Sequence, residues 1–250
     1  MSRLEQAART LGLLAPAAAL LLCTAPAFAL TYGECTALVD KSPADGYNAA
    51  IDWTKKTDDP AAQHCAALAE VALKRYGAAA DRLNRLVEQT ENPYESAALL
   101  AQLGQVRMLD GKADLAVQAY SRAVKQTPNN AELLSERARA YAAMGDWPHA
   151  VKDLDAAVQV EDDNAELQLL YATALREAGD LPEASKAIAK ALALAPNEPA
   201  NFLERGRIRL LAGDRKGAAE DWKRVLSSAA KSSPEYQAAN ASLKALDKVK

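Results

Sequence analysis

The sequence contains few aromatic residues, histidines and cysteines, and these shortages exclude several classes of protein. Among its 250 residues, Phe, Trp and Tyr make up 5%, and there are two histidines and three cysteines. His64 and His149 are too few and too isolated to predict a metal site, and no cofactor is predicted. The sequence has no phosphate-binding glycine loop and no G-x-S-x-G or H-E-x-x-H motif, so it predicts no enzyme.

Long runs of one charge are also missing. The formal net charge is −3, from 30 basic and 33 acidic residues, so nucleic-acid binding is not predicted. β-Branched residues are sparse, whereas the helix-favouring residues Ala, Leu, Glu, Lys and Arg are abundant. The composition therefore predicts an all-α protein.

Residues 1–29 predict a secretory signal peptide. Arg3 and Arg9 precede an almost wholly apolar run at 11–25, and Ala27-Phe28-Ala29 forms a small-x-small cleavage signal. The run is short for a membrane span, which needs about 20 residues. We therefore expect cleavage, no stable membrane insertion afterwards, and a periplasmic or secreted protein. An uncleaved membrane anchor is the alternative.

Two cysteines follow this segment and predict a disulfide. Cys35 and Cys65 are an isolated pair, and such pairs in an oxidising compartment usually form a bond. The alternative is that Cys65 is a nucleophile activated by His64. Neighbouring residues on a helix point about 100° apart, so this arrangement is disfavoured.

A glycine recurs with a fixed spacing of 34 residues, at Gly77, Gly111, Gly145, Gly179 and Gly213. An alanine stands five residues after each of the last four glycines. Seven residues after that alanine comes a second alanine, or a valine in the last repeat, and a large apolar residue lies between the two. These rows are Ala116, Ala150, Ala184 and Ala218; Tyr120, Leu154, Ile188 and Trp222; and Ala123, Ala157, Ala191 and Val225. A fixed period of this length predicts an array of stacked repeats.

The pattern resembles the tetratricopeptide repeat, a helix–turn–helix unit of 34 residues. The residues that carry the resemblance in the first full unit are Leu100, Leu103 and Gly104, and then Ala116, Tyr120, Ala123 and Pro128. The resemblance implies a right-handed superhelical α-solenoid. It also implies that the first helices of the units line a concave groove that holds another protein or a peptide.

Four regular repeats are predicted, at 97–130, 131–164, 165–198 and 199–230. A degenerate hairpin is expected at 61–96, with helices at 61–76 and 78–90 on either side of Gly77. Residues 85–90 resemble 122–127 at a spacing of 37 rather than 34, so this hairpin is irregular. A helical cap with one amphipathic helix is expected at 30–60, and a capping helix at 231–250.

Two of the repeats carry an unusual pair of charges. Position 7 of the repeat, which is normally apolar, is Arg137 in the second repeat and Arg205 in the fourth. In the same two repeats position 23 is Asp153 or Asp221. We predict that each arginine pairs with the aspartate of its own repeat.

The resemblance implies that positions 2, 5, 9, 12 and 13 of the repeats face the groove, and the candidates are taken from positions 9 and 12. The candidate binding residues at these positions are Gln105, Met108, Arg139, Thr173, Arg176 and Arg207. The three arginines are candidates to meet acidic groups or a C-terminal carboxylate of a peptide. The function predicted by analogy is an exported scaffold that assembles or regulates a cell-envelope complex.

Two alternatives remain open at this point. The groove could hold a glycan, a lipid or a small molecule, or serve an enzymatic accessory role. Such a site would need a deep pocket with converging polar groups, whereas the groove positions carry small residues and scattered arginines. The second alternative is that the chain associates with itself.

Overall fold

The computed structural model describes residues 30–248, and the predicted signal peptide at 1–29 lies outside them. The described residues form thirteen α-helices and no strand. The helices are α1 Tyr32–Lys41, α2 Pro43–Lys56, α3 Pro60–Ala72, α4 Tyr76–Gln89, α5 Pro93–Leu109, α6 Ala113–Gln126, α7 Ala131–Ala143, α8 Trp147–Val160, α9 Ala165–Glu177, α10 Leu181–Leu194, α11 Pro199–Leu211, α12 Arg215–Ser228 and α13 Pro234–Lys248. Each packs against the next along the chain, so the predicted all-α solenoid is confirmed.

Four of the periodic glycines stand just after the first helix of a repeat. Gly111, Gly145, Gly179 and Gly213 have left-handed backbone angles, with φ between 72° and 87°. Glycine adopts this conformation without steric cost. In three repeats the next residue is an aspartate whose carboxylate accepts a hydrogen bond from a backbone N–H of the second helix. The glycine thus ends one helix, and the aspartate begins the other.

Gly77, however, does not mark a turn, so that expectation was wrong. It lies inside α4, and the left-handed residue between α3 and α4 is Lys74, with a φ of 59°. Lys74 precedes Gly111 by 37 residues, which is the spacing that relates 85–90 to 122–127. The whole first hairpin is therefore shifted, and Gly77 matches the period by coincidence.

The segment before this hairpin holds two helices rather than one. Ser42-Pro43 separates α1 from α2, and Gly46 lets α2 approach Val39 so closely that an added Cβ would lie 2.6 Å from its Cγ2. The predicted Cys35–Cys65 disulfide is present and joins α1 to α3, with a Cα–Cα distance of 6.3 Å. Both sulfurs are bonded and both residues are fully buried, so Cys65 is not a free nucleophile here.

The interior of each repeat is built from a small residue facing a large one. In the first repeat Gly104 lies under the ring of Tyr120, and an added Cβ would come 2.5 Å from its Cζ. Gly206 lies under Trp222 in the same way. The second and third repeats have Ala138 and Ala172 at this position, and these alanines share a core cluster with the smaller Leu154 and Ile188, respectively. Helix spacing therefore depends on matched side-chain sizes.

The last helix covers the end of the array. α13 packs on α11 and α12, and its Ala239 is fully buried. The Ser233 hydroxyl accepts a hydrogen bond from the backbone N–H of Tyr236 at 3.2 Å, which caps the first turn. Among residues 30–248, no helix is both long enough and apolar enough to cross a membrane.

Candidate protein-binding groove

The charged residues at positions 7 and 23 meet within their own repeats. The Arg137 guanidinium donates to both carboxylate oxygens of Asp153, at 2.6 and 2.7 Å. Arg205 donates to both oxygens of Asp221, at 3.0 and 2.6 Å. Each bidentate pair joins the two helices of one repeat, and both aspartates are buried. The structure thus brings together the four residues that the sequence pairs.

Two further contacts of this kind are not evident from the repeat pattern. Arg209 donates to Asp221 at 2.9 Å, so this carboxylate is held by two arginines. In the first hairpin the carboxylate lies on the first helix and the arginine on the second, the reverse of the other pairs. Arg82 donates to both carboxylate oxygens of buried Glu70, at 3.0 and 2.9 Å. Arg82 corresponds to position 23 once the 37-residue spacing is used. With the same spacing Glu70 stands at position 11, which is the position of Arg209 in its repeat, so the 7–23 pattern does not reveal this pair.

A groove follows the first helices of the repeats, from Tyr32 near the N-terminal end to Asn201 in the fourth repeat. It consists of four open depressions, and neighbouring depressions share lining residues. The shared residues, in order along the array, are Ala98 and Gln102, then Glu132 and Glu136, and then Glu166. Because they are shared, the four depressions form one continuous surface, which we call the groove.

The N-terminal end of the groove is organised by His64. Its Nε2 lies 2.6 Å from Oε1 of Gln102, and its Nδ1 lies 2.7 Å from the hydroxyl of Tyr32. The amide oxygen can only accept, so Nε2 donates to Gln102, and in the neutral imidazole Nδ1 accepts from the tyrosine. These two bonds tie together α1, α3 and α5, and they fix the walls of the first depression.

The arginines at the groove positions are already paired within the chain. Arg139 donates to Glu166 at 2.8 Å, while Arg176 and Arg207 both donate to Glu204, at 2.5 and 3.1 Å. The Glu204 side chain is 3% exposed, so its charge requires these partners. The carboxylates that the arginines were expected to find on a peptide are thus supplied by the chain itself, from the next repeat for Arg139 and Arg176 and from the same helix for Arg207.

The six predicted binding residues fall into three groups. Gln105 and Arg139 line the groove. Arg176 and Arg207 line a separate depression between α11 and α13. Met108 packs against the core, and the hydroxyl of Thr173 donates to the carbonyl of Leu169 at 2.9 Å, so neither lines the depressions described.

Several groove residues were not among those predicted. The groove is lined chiefly by positions 2 and 6 of the repeats, which are Ala98 and Gln102, Glu132 and Glu136, and Glu166 and Leu170. Their signal in the sequence is the exposed face of each first helix. Position 9 does line the groove, through Gln105 and Arg139, and position 2 was expected to face it, whereas position 6 was not among the positions that the resemblance assigns to the groove.

Two tyrosine hydroxyls donate hydrogen bonds to carboxylates of the neighbouring repeat. The Tyr171 hydroxyl donates to Asp155 at 3.2 Å, and burial, followed by the negative charge of Asp155, raises the pKa of Tyr171 to about 12. Tyr120 donates to Glu136 at 3.4 Å, and burial likewise raises its pKa. Both phenols therefore stay protonated and hold adjacent repeats together.

Two family models match the chain, one described as "Tetratricopeptide repeat" over residues 135–199 and one as "TPR repeat" over 104–145. The chain belongs to the tetratricopeptide repeat (TPR) family. A comparison with curated protein sequences found no match.

Solved TPR structures share this fold. The C-terminal part of a TPR repeat-containing protein from Cytophaga hutchinsonii is 17% identical, with a TM-score of 0.70 over 88% of this chain and 90% of that one. YrrB, described as a TPR protein with an unusual peptide-binding site, is 16% identical, with a TM-score of 0.62 over 79% of this chain and 99% of that one. MamA is 17% identical, with a TM-score of 0.59 over 65% of this chain and 93% of that one. At these identities the likeness shows the fold alone.

Proposed function

We propose that this TPR protein is a scaffold that holds an extended segment of another protein in its groove and has no catalysis of its own. The observation that carries the proposal is the continuity of the four depressions along five successive first helices. An open trough of this shape fits a peptide better than a compact small molecule, which is usually enclosed on most sides. The peptide-binding site named for YrrB, which has the same fold, also supports it.

We further propose that the protein is exported and works in a cell-envelope complex. The Cys35–Cys65 disulfide supports this, because such bonds persist in oxidising compartments and are rare in the cytosol. The apolar run at 11–25 with its small-x-small signal supports it as well. Cell fractionation, with thiol alkylation before and after reduction, tests the location. Recovery of the uncleaved, reduced chain in the cytosol would refute it.

Site-specific photo-crosslinking in the living cell tests the interaction. A photoreactive residue replaces Gln105, which is exposed and lines the groove. The matched control replaces Lys152, which is exposed on the second helix α8. We expect discrete protein adducts from the Gln105 site that the Lys152 site lacks. Equal labelling from the two sites, or no adduct from either in a folded protein, would contradict the proposed function.

A further inference from the structure

The N-terminal depression of the groove is apolar. It has a volume of about 530 Å³ and lies between α1, α3, α4 and α5. Its walls include Tyr32, Pro60, Ala61, Leu86 and Leu99. Tyr32 is 40% exposed although it is a large ring. A depression of this size and lining accepts an apolar side chain from a ligand, because burying such a side chain removes its surface from water.

The middle of the groove has the opposite character, because carboxylates dominate it. Glu132, Glu136, Glu161 and Glu166 line the two depressions between α5 and α9, with Arg139 as the one cationic side chain among their lining residues. Arg139 contacts two of them, at 3.5 Å from Glu136 and 2.8 Å from Glu166. The groove therefore keeps an excess of negative charge after this internal pairing.

We infer that the groove binds a basic peptide segment, with an apolar side chain in the N-terminal depression and lysine or arginine side chains against the carboxylates. This inference rests on the proposed function and names the chemistry of the partner. Complementarity of charge favours a cationic segment. An acidic segment would place its carboxylates beside Glu132 and Glu166, and Arg139, the one cation that lines these two depressions, already pairs with Glu136 and Glu166.

The spacing of the two contacts follows from the repeat geometry. The apolar depression lies at the seam of α3 and α5, and the carboxylates lie around α7 and the start of α9, which is two repeats further on. First helices of successive repeats stand side by side along the groove, and a helix with its side chains is about 10–12 Å across, so the two contacts are separated by roughly 20 Å. An extended chain rises about 3.3 Å per residue. The apolar residue and the first basic residue are then about six residues apart.

Fluorescence anisotropy with synthetic peptides tests this inference on the protein purified as the cell makes it. The probe is a labelled twelve-residue peptide in a Gly/Ser/Asn background, with one leucine and two lysines that begin about six residues later. Two matched peptides replace either the lysines by glutamates or the leucine by serine. We expect the first probe to bind about tenfold more tightly than either matched peptide. Added salt should reduce the affinity that depends on the lysines and leave the affinity that depends on the leucine unchanged.

Variants of the protein locate the contact. Glu132→Gln with Glu161→Gln removes two groove charges while it retains amide groups that can still accept hydrogen bonds. The control, Glu88→Gln with Glu220→Gln, removes two exposed charges from the second helices α4 and α12. An exposed ion pair contributes about 0.2–1 kcal/mol, so the groove variant, which removes two carboxylates, should bind the lysine probe about twofold to thirtyfold more weakly. The control should leave affinity unchanged.

The outcomes separate the inference from the function on which it rests. Preference for the glutamate peptide, or equal binding by the two double variants, would overturn the inference. If all three peptides fail to bind, mass spectrometry of the adduct formed at Gln105 in cells identifies the sequence of the bound segment. A segment with neighbouring basic residues supports the inference, and one without them refutes it. The proposed function itself fails only if the Gln105 site captures no partner.

Discussion

Replacing Arg137 by methionine should be among the most destabilising single changes on the solvent side of the repeats. Asp153 is only 5% exposed, and Arg137 is the ion-pair partner that the described part of the chain provides for it. Breaking a buried pair by removing one partner costs about 3–5 kcal/mol. The Arg137 side chain is 18% exposed, which lets water reach the site, so we expect a loss of about 3 kcal/mol.

The fourth repeat supplies an internal control, because Asp221 has a second arginine. Arg205→Met leaves Arg209 at 2.9 Å from this carboxylate, so its loss should be about 1–1.5 kcal/mol. Adding Arg209→Met should then bring the total to about 3 kcal/mol. Urea unfolding followed by far-ultraviolet circular dichroism measures all four proteins with the disulfide intact. Equal losses for Arg137→Met and Arg205→Met would show that the second arginine contributes nothing and refute the reasoning.

Three other changes test separate features. Gly104→Ala should lower stability by about 1–3 kcal/mol through overpacking against Tyr120, and adding Tyr120→Leu should recover most of it in thermal unfolding; additive losses would contradict the size matching. Lys74→Gly should raise the free energy of unfolding in urea by about 1 kcal/mol, since glycine takes the left-handed conformation without strain. An unchanged free energy of unfolding would count against that strain. The raised pKa of Tyr171, about 12 against an ordinary 10.0, stabilises the fold below pH 10, and this contribution should vanish as the pH rises to about 12. Tyr171→Phe should flatten this part of the stability–pH curve, and an identical slope in both proteins would exclude the effect.

The periodic part of the fold could be predicted from the sequence because each element there has a local cause. A glycine with positive φ and a following aspartate determine where one helix ends and the next begins, as at Gly145 and Asp146. The helices of the first hairpin were predicted, but its turn was placed three residues too late, because Lys74 takes the left-handed position that Gly77 seemed to mark. A residue that adopts an unfavourable conformation under tertiary packing gives no local signal.

The groove could be predicted less well than the fold. Contacts within a repeat recur at a fixed spacing, so Arg137 and Asp153 could be paired from the sequence. Contacts between repeats have no such regularity, and the pairing of Arg176 with Glu204 across 28 residues depends on how far successive units rotate. The same rotation determines which side chains line the groove. Sequence spacing alone therefore put Met108 and Thr173 among the candidates, and neither lines the four depressions of the groove.

The disulfide at the start of the array has a consequence for the order in which the chain folds. Only 30 residues separate Cys35 from Cys65, and each unit of a solenoid packs against its immediate neighbours. If the chain is exported as proposed, N-terminus first, it can close this bond before its later repeats have emerged. The bonded cap then offers a finished surface on which each emerging hairpin can add in turn. Assembly would run in one direction, from a covalently fixed start to the α13 end.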